Sequence, residues 1–202
     1  YRLPEKFVLY VGGVNPNKNL VRLAKVAAKL GLPLVLVGSE FTKAPVETFS
    51  IKKLLGLQKV HPEVVEFAKL KSIIEGNDLF RILGYVPTEE LNAIYRLAAF
   101  YCQPSLYEGF GLPILEAMDH GCPVIASHAA SLPEIGGEAC LYFDPNDSND
   151  ILEKLEKLMT DQNLYSTLTK KGKKRIQDFS WEKCAEETLS VLINYDKLEN
   201  TS

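Results

Sequence analysis

The chain has 202 residues, 46% of them hydrophobic, and a formal net charge of −3. That length and apolar content suffice for a single domain with its own core. The acidic balance offers no basic face for nucleic acid, and no apolar run reaches the ~18 residues a membrane span needs.

Short apolar runs alternate with amphipathic stretches, the pattern of parallel strands joined by crossover helices. In chain order the expected strands are Phe7–Gly12, Leu34–Val37, Phe80–Leu83, Phe100–Gln103, Pro123–Ala126 and Cys140–Phe143. Helices are expected between them over Leu20–Leu30, Pro62–Glu75, Thr88–Ala98 and Pro113–His120. Three more follow the last strand, over Ser148–Thr160, Asn163–Ile176 and Trp181–Leu198. In the first helix, Leu20, Leu23, Ala24, Ala27 and Leu30 recur at helical spacing and mark one buried face. Thr88 is expected to cap its helix, with Glu89 and Glu90 in the first turn. Leu91 stands where a full capping box needs an acid or amide. Asp144-Pro-Asn-Asp147 and Phe179-Ser-Trp-Glu read as capped helix starts. The long Ser39–Asn77 connection reads as a surface loop from Thr42 to Thr48, followed by a helical turn at Ser50–Leu57. The fold class is therefore α/β: one domain with a Rossmann-like, doubly wound parallel sheet of about six strands and helices on both faces.

In open α/β sheets, ligands bind beyond the carboxyl ends of the strands. The polar and glycine residues of interest fall there. Gly12, Gly13, Lys18 and Asn19 follow the first strand, and Gly84, Tyr85 and Val86 follow the third. Glu108 to Pro113 follow the fourth, and Ser127 to Glu134, including Ser131, follow the fifth. The glycines at 109 and 111 let the backbone approach a ligand, and a helix start aims free N–H groups at it. Gly109, Phe110, Gly111 and Leu112 would present those groups, with Pro113 opening the helix. Glu108 precedes the loop and Glu116 sits in the first helical turn. A phosphate fits the N–H groups and carboxylates suit sugar hydroxyls, so a nucleotide-sugar is the simplest ligand carrying both. Lys18, on an Asn-Pro-Asn turn, can reach a diphosphate and stabilise a departing nucleotide. Each feature alone has a plain alternative: a surface lysine, a glycine turn, solvated glutamates. Their convergence on one edge favours a shared site.

Other chemistries lack support. Cys102, Cys122, Cys140 and Cys184 lie far apart with no C-x-x-C spacing, and Cys102 and Cys122, in or beside apolar strand patterns, read as buried thiols in a reducing cytosol rather than disulfides or zinc ligands. His61, His120 and His128 are dispersed, so no metal site is expected from them. No Asp-x-Asp occurs, so a divalent clamp on a diphosphate is not expected, and lysine plus helix N–H groups would take its place. There is no Walker lysine motif and no Ser–His–Asp set. Lys170-Lys-Gly-Lys-Lys-Arg175 reads as a solvated helix end.

Glu108-x7-Glu116, within Glu-Gly-Phe-Gly-Leu-Pro-x-Leu-Glu-Ala-Met, resembles the signature of the family 4 retaining glycosyltransferases of the GT-B fold. The resemblance extends to Tyr10-Val-Gly-Gly with Lys18-Asn19 and to Leu83-Gly-Tyr-Val-Pro-Thr-Glu-Glu-Leu91. It also takes in Ser131-Leu-Pro-Glu-Ile135, Phe143-Asp-Pro145 and Phe179-Ser-Trp181. Several motifs in the family order carry more weight than any one of them.

The resemblance implies the donor-binding, C-terminal half of a GT-B enzyme, with the acceptor site in an N-terminal half outside these residues. It implies that Gly12, Gly13, Lys18 and the Gly109–Leu112 loop contact donor phosphate and hexose. It also implies that Glu116 binds the ribose 2′ and 3′ hydroxyls. Glu108 would address the transferred sugar's hydroxyls or stabilise positive charge at its anomeric carbon. Tyr85 and Val86 would face the nucleobase through backbone groups, and Asn19, Ser131 and Glu134 would lie near the donor. The family's arginine shortly before the lysine is missing, since Gly13, Asn15 and Asn17 hold those positions; Lys43 is a substitute cation. The implied donor is a nucleoside-diphosphate sugar, GDP-mannose or a UDP-sugar, with no cofactor and no metal. The acceptor would be a glycan or a lipid-linked sugar, and retention would use the leaving diphosphate to help deprotonate it. The setting would be cytoplasmic, at the inner face of the membrane, with any membrane contact through the other half. The last helix would cross to that half and leave a face exposed, or pack on its own sheet. Two alternatives remain: another GT-B enzyme, such as a sugar-nucleotide epimerase or glycogen-synthase relative, and a non-catalytic nucleotide-sugar-binding module.

Overall fold

The computed structural model of the chain describes residues 1–42 and 61–199. Lys43, most of the expected Thr42–Thr48 loop and the expected turn at Ser50–Leu57 lie outside the described residues. Six strands form one sheet: β1 (Val8–Val11), β2 (Leu34–Val37), β3 (Phe80–Gly84), β4 (Phe100–Gln103), β5 (Val124–Ser127) and β6 (Cys140–Phe143). All neighbouring pairs are parallel and the order is β3-β2-β1-β4-β5-β6. Val8 pairs with Leu34 on one side and Phe100 on the other, so the winding reverses between β1 and β4. Such a switch point, beyond the carboxyl ends of the two strands, is where open α/β sheets form their ligand crevice.

The central strands β2, β1, β4 and β5 are buried on both faces, as near-continuous apolar runs require, whereas Arg81 and Ile82 on edge strand β3 are exposed. Val8, Tyr10, Leu34, Leu36, Phe100 and Cys102 face one core, while Leu9, Val35, Val37, Tyr101 and Val124 face the other. The first core is covered by α1 (Leu20–Leu30), α2 (Pro62–Ile74), α6 (Ser148–Thr160) and part of α7 (Gln162–Arg175). The second is covered by α3 (Thr88–Leu97), α4 (Leu112–Asp119) and α5 (Leu132–Gly136). On α1, Leu20, Leu23, Ala24, Val26 and Ala27 are buried, and each large aliphatic side chain so placed contributes about 1.5–3 kcal/mol. Gly31, in left-handed conformation, ends this helix and its N–H bonds back to Ala27 and Ala28.

Several boundaries move by a residue or two for identifiable reasons. Thr88 does not cap α3. Pro87, extended at φ −58 and ψ 148, is the capping residue and Thr88 is already helical, with no side-chain cap bond. Gly111 at φ 114 precedes α4, so Leu112 is its first residue and Pro113 its second. Proline's missing N–H still costs nothing there, because the first-turn donors have no helical partner. β5 starts after Pro123 and runs to Ser127, which pairs with Phe143. β3 gains Gly84 through a register shift opposite Val37. The expected caps Asp147 and Ser180 are present, accepting from Asn149 N at 2.8 Å and Lys183 N at 3.1 Å.

The last helix, α8 (Trp181–Glu199), does not pack on its own sheet over residues 181–193. Trp181, Leu189, Val191, Leu192 and Ile193 are all exposed along it. Among the described residues, no helix is long and apolar enough to cross a membrane.

Candidate functional site

The loops leaving β1 and β4 are stapled together at the crevice. Asn15 accepts from Asn17 N and starts a 3₁₀ turn, Pro16–Lys18, which ends on Asn19 in left-handed conformation at φ 56. The buried Asn19 amide donates to the Pro104 and Pro145 carbonyls at 3.0 and 2.9 Å, and Leu106 N donates to Asn17 O at 2.7 Å. Asn19 is therefore a cross-loop tie, facing inward. Arg22 adds a bond to Asn19 Oδ1 at 3.0 Å.

This stapling brings Lys18 and Glu108 together across 90 residues of chain, with Nζ to Oε1 at 2.7 Å. Glu108 Oε1 also accepts from Gln103 Nε2 at 2.6 Å and Ser105 Oγ at 2.7 Å. Gln103 is itself held by the Tyr101 hydroxyl, which donates to its Oε1. Ser127 Oγ donates to Ser105 O and braces that turn from β5. Among the described residues, Glu108 Oε2 has no hydrogen-bonding partner, so three donors fix one oxygen and leave the other open. Lys18 keeps ammonium protons beyond the one given to Glu108, so it can hold the carboxylate and an anion at once.

Past Glu108 the backbone presents donors. Among the described residues, the N–H groups of Gly109, Phe110, Gly111 and Leu112 have no hydrogen-bonding partners, and α4 begins immediately after. Gly111 has φ 114, a backbone conformation that favours glycine, and a Cβ there would also press on Leu132 Cδ2 at 2.8 Å. Ser131 Oγ faces the Glu108 and Phe110 carbonyls at 2.9 and 2.8 Å, fixing the loop from beneath. Glu116, one turn along α4, is exposed, so the burial cost of an unpaired carboxylate does not arise there. Its Oε2 accepts from the Tyr95 hydroxyl at 2.9 Å.

The remaining expected residues take distinct positions. Tyr85 is 75% exposed beyond β3, whereas the Val86 side chain belongs to the core and only its backbone can face a ligand. Glu134 is exposed on α5. Gly12 and Gly13 lie on the β1 loop, where Tyr10 Oη donates to Gly13 O at 2.9 Å.

Three features escaped the sequence reading. Glu40 follows β2 at the same sheet edge, and its Oε2 accepts from Val14 N at 2.6 Å. A Cβ on Gly13 would fall 2.5 Å from that carboxylate, so the Glu40 side chain packs against the glycine turn. Its position two residues past Gly38 was the available signal. Second, Arg175 is not part of a solvated end. Its guanidinium donates to Ile135 O at 3.0 Å and Glu134 O at 2.6 Å, and lies 4.8 Å over the Phe179 ring. Phe179 meets Phe110 edge-on at 6.2 Å, so the segment after α7 buttresses the glycine loop. Third, Tyr95 holds Glu116.

The buried thiols and phenols near the site are held in their neutral forms. Burial pushes the Cys122 and Cys140 thiols up to about 12, and Cys102 higher, so they stay protonated. Burial foremost, then the charges of Glu108 and Glu40, raise the Tyr10 phenol well above its ordinary value. Burial likewise raises Tyr101 and Tyr95, which remain neutral donors. Among the described residues, no three His, Cys, Asp or Glu side chains are grouped to hold a metal ion.

The profile of the family described as "Glycosyl transferases group 1" matches residues 2–175. The O-antigen chain mannosyltransferase B of Escherichia coli is 34% identical over 191 residues, covering 92% of this chain and 45% of that protein. The serotype-specific mannosyltransferase WbdA of the same species is 33% identical over 189 residues, covering 92% of this chain and 21% of that protein. Among solved structures, sucrose-phosphate synthase from Thermosynechococcus elongatus superposes with a TM-score of 0.77 at 28% identity, covering 99% of this chain and 47% of that one. The chain spans less than half the length of each of these relatives.

Proposed function

Because the chain belongs to the group 1 glycosyl transferases, we propose that it binds a nucleoside-diphosphate sugar as the donor-binding half of a retaining, GT-B hexosyltransferase. The observation that carries the reading is the meeting of Lys18 and Glu108 at the β1/β4 switch point, beside four backbone N–H groups that have no partner among the described residues. In this reading the diphosphate lies on the N–H groups of Gly109–Leu112, at the positive end of α4. The Lys18 ammonium neutralises the charge that grows on the leaving nucleotide. The open oxygen of Glu108 faces the hexose, where it accepts from a hydroxyl or stabilises positive charge at the anomeric carbon. Glu116 takes the ribose 2′ and 3′ hydroxyls, and the backbone at Tyr85 and Val86 takes the base.

The mannosyltransferase relatives support a mannose donor, GDP-mannose, and a glycan or lipid-linked acceptor held by residues outside these 202. Buried thiols without disulfide partners support a cytoplasmic setting. Lysine and backbone donors supply the charge stabilisation at the diphosphate, with no group of metal-ligating side chains beside them among the described residues.

Calorimetric titration of the chain with UDP-, GDP- and ADP-sugars tests this. One nucleotide series is expected to bind without transfer of sugar, and Glu116→Ala is expected to weaken it roughly tenfold or more, the worth of a hydrogen bond to a charged group. Unchanged affinity in that variant removes Glu116 from the ribose.

A further inference from the structure

Tyr95 lies on the inner face of α3 and is 1% exposed. Two rings wedge it: Tyr101 edge-on at 5.8 Å, and His120 at 5.8 Å with an interplanar angle of 56°. A ring so packed delivers its hydroxyl to one place, and there it donates to Glu116 Oε2 at 2.9 Å. Among the described residues, neither the hydroxyl nor the carboxylate has another hydrogen-bonding partner. Burial, then the nearby Glu116 charge, keeps the phenol protonated, so it acts only as a donor to that carboxylate.

Glu116 is otherwise unsupported. It projects from an exposed helix face on a chain with three rotatable bonds, and such a side chain samples several rotamers. A hydrogen bond from a rigid donor selects among them. It also leaves lone pairs on both carboxylate oxygens, which two vicinal hydroxyls require. The contrast with Glu108 is informative, because that carboxylate is held by three separate donors whereas Glu116 depends on one.

We propose that Tyr95 is a positioning residue whose buried hydroxyl orders the Glu116 carboxylate before nucleotide arrives, and so sets the preference for ribose over 2′-deoxyribose. This rests on the reading of Glu116 as the ribose contact. Tyr95 touches no substrate and acts only through Glu116.

The test measures affinities of GDP, 2′-deoxy-GDP, UDP, 2′-deoxy-UDP and inorganic pyrophosphate for the unsubstituted chain, Tyr95→Phe, Glu116→Gln and the double variant, at about 10 °C, where a modestly destabilised variant stays folded. Tyr95→Phe is expected to lower the ribose-to-deoxyribose affinity ratio about three- to tenfold, with pyrophosphate affinity unchanged. The double variant is expected to lose no more than Glu116→Gln alone. A purely structural Tyr95 would weaken all five ligands together. If Glu116→Gln abolishes the ratio while Tyr95→Phe keeps it, the proposal is overturned and the ribose reading stands. If neither changes the ratio, the ribose reading falls and the proposal falls with it. Should the Phe variant not fold, three-bond couplings of the Glu116 side chain in the unsubstituted, ligand-free protein decide. A single rotamer is expected, and rotamer averaging that ends only when GDP binds overturns the proposal.

Discussion

The surroundings of Glu108 and of Glu116 solve the same problem in opposite ways. Glu108 stands where two strand loops converge, 15% exposed, with Lys18, Gln103 and Ser105 all on one oxygen. Glu116 stands on an open helix face with one phenol behind it. In the proposed reading Glu108 lies near the reacting carbon and Glu116 far from it, and a carboxylate in the first place must keep its charge and direction throughout the chemistry, which redundancy secures. A carboxylate that recognises hydroxyls far from that carbon needs only a prepared orientation. Losses at the first should therefore be graded, and losses at the second should be all at once.

The largest expected effect sharpens this comparison at alkaline pH. Tyr10 and Tyr101 lie beneath Glu108 and Tyr95 behind Glu116, and all three phenols have raised values in the fold. The unfolded chain loses those protons from about pH 10 while the folded chain keeps them, so stability present below that pH is lost as pH rises past it. Each group contributes about 1.4 kcal/mol per pH unit, so urea midpoints should fall steeply above about pH 10. A flat profile there would contradict the burial of these rings.

Lys18→Ala comes next. It removes a cation from the diphosphate and a donor from Glu108, and should weaken GDP or UDP binding by about 2–3 kcal/mol in calorimetry. A change below a few tenths would place the nucleotide away from Lys18. Gln103→Leu is milder for ligand and harder on the fold. Glu108 keeps Lys18 and Ser105, so affinity should drop less than about tenfold, while the buried Tyr101 hydroxyl loses its partner and thermal unfolding should show a loss of about 1–3 kcal/mol. An affinity loss as large as that of Lys18→Ala would mean that the clamp is not redundant.

The smallest effect has the opposite sign. Glu40 places a negative charge beside the Gly12–Val14 turn at the proposed diphosphate edge, so Glu40→Gln should tighten nucleotide binding about two- to fivefold, as removal of one exposed like charge allows. Weaker binding in that variant would make Glu40 a part of the site rather than a like charge beside it.

Much of this was legible in the sequence. The strands were visible because residues such as Leu34–Val37 are buried on both faces and leave no polar break in the run. The glycine loop and its flanking glutamates were visible because glycine, proline and the first helical turn have local signatures. What escaped was non-local. Lys18 and Glu108 were expected at one sheet edge, but their direct bond, across 90 residues of chain, has no local signal. Arg175 sits in a basic run that resembles any solvated helix end, yet it reaches carbonyls of α5 some 40 residues earlier. Tyr95 lies inside the expected Thr88–Ala98 helix with no local signal for its hydroxyl, whose partner Glu116 comes from the next helix. Thr88 misled because threonine is a good cap, whereas Pro87, with φ already fixed, took the capping position first.

The most direct test is a crystal structure of the chain with GDP or UDP bound. The account predicts diphosphate oxygens about 2.7–3.2 Å from the Gly109–Leu112 N–H groups and from Lys18 Nζ, with Lys18 still bonded to Glu108 and Glu116 on the ribose. A nucleotide seated at any other edge of the sheet, with the Lys18–Glu108 pair untouched by it, would contradict the account.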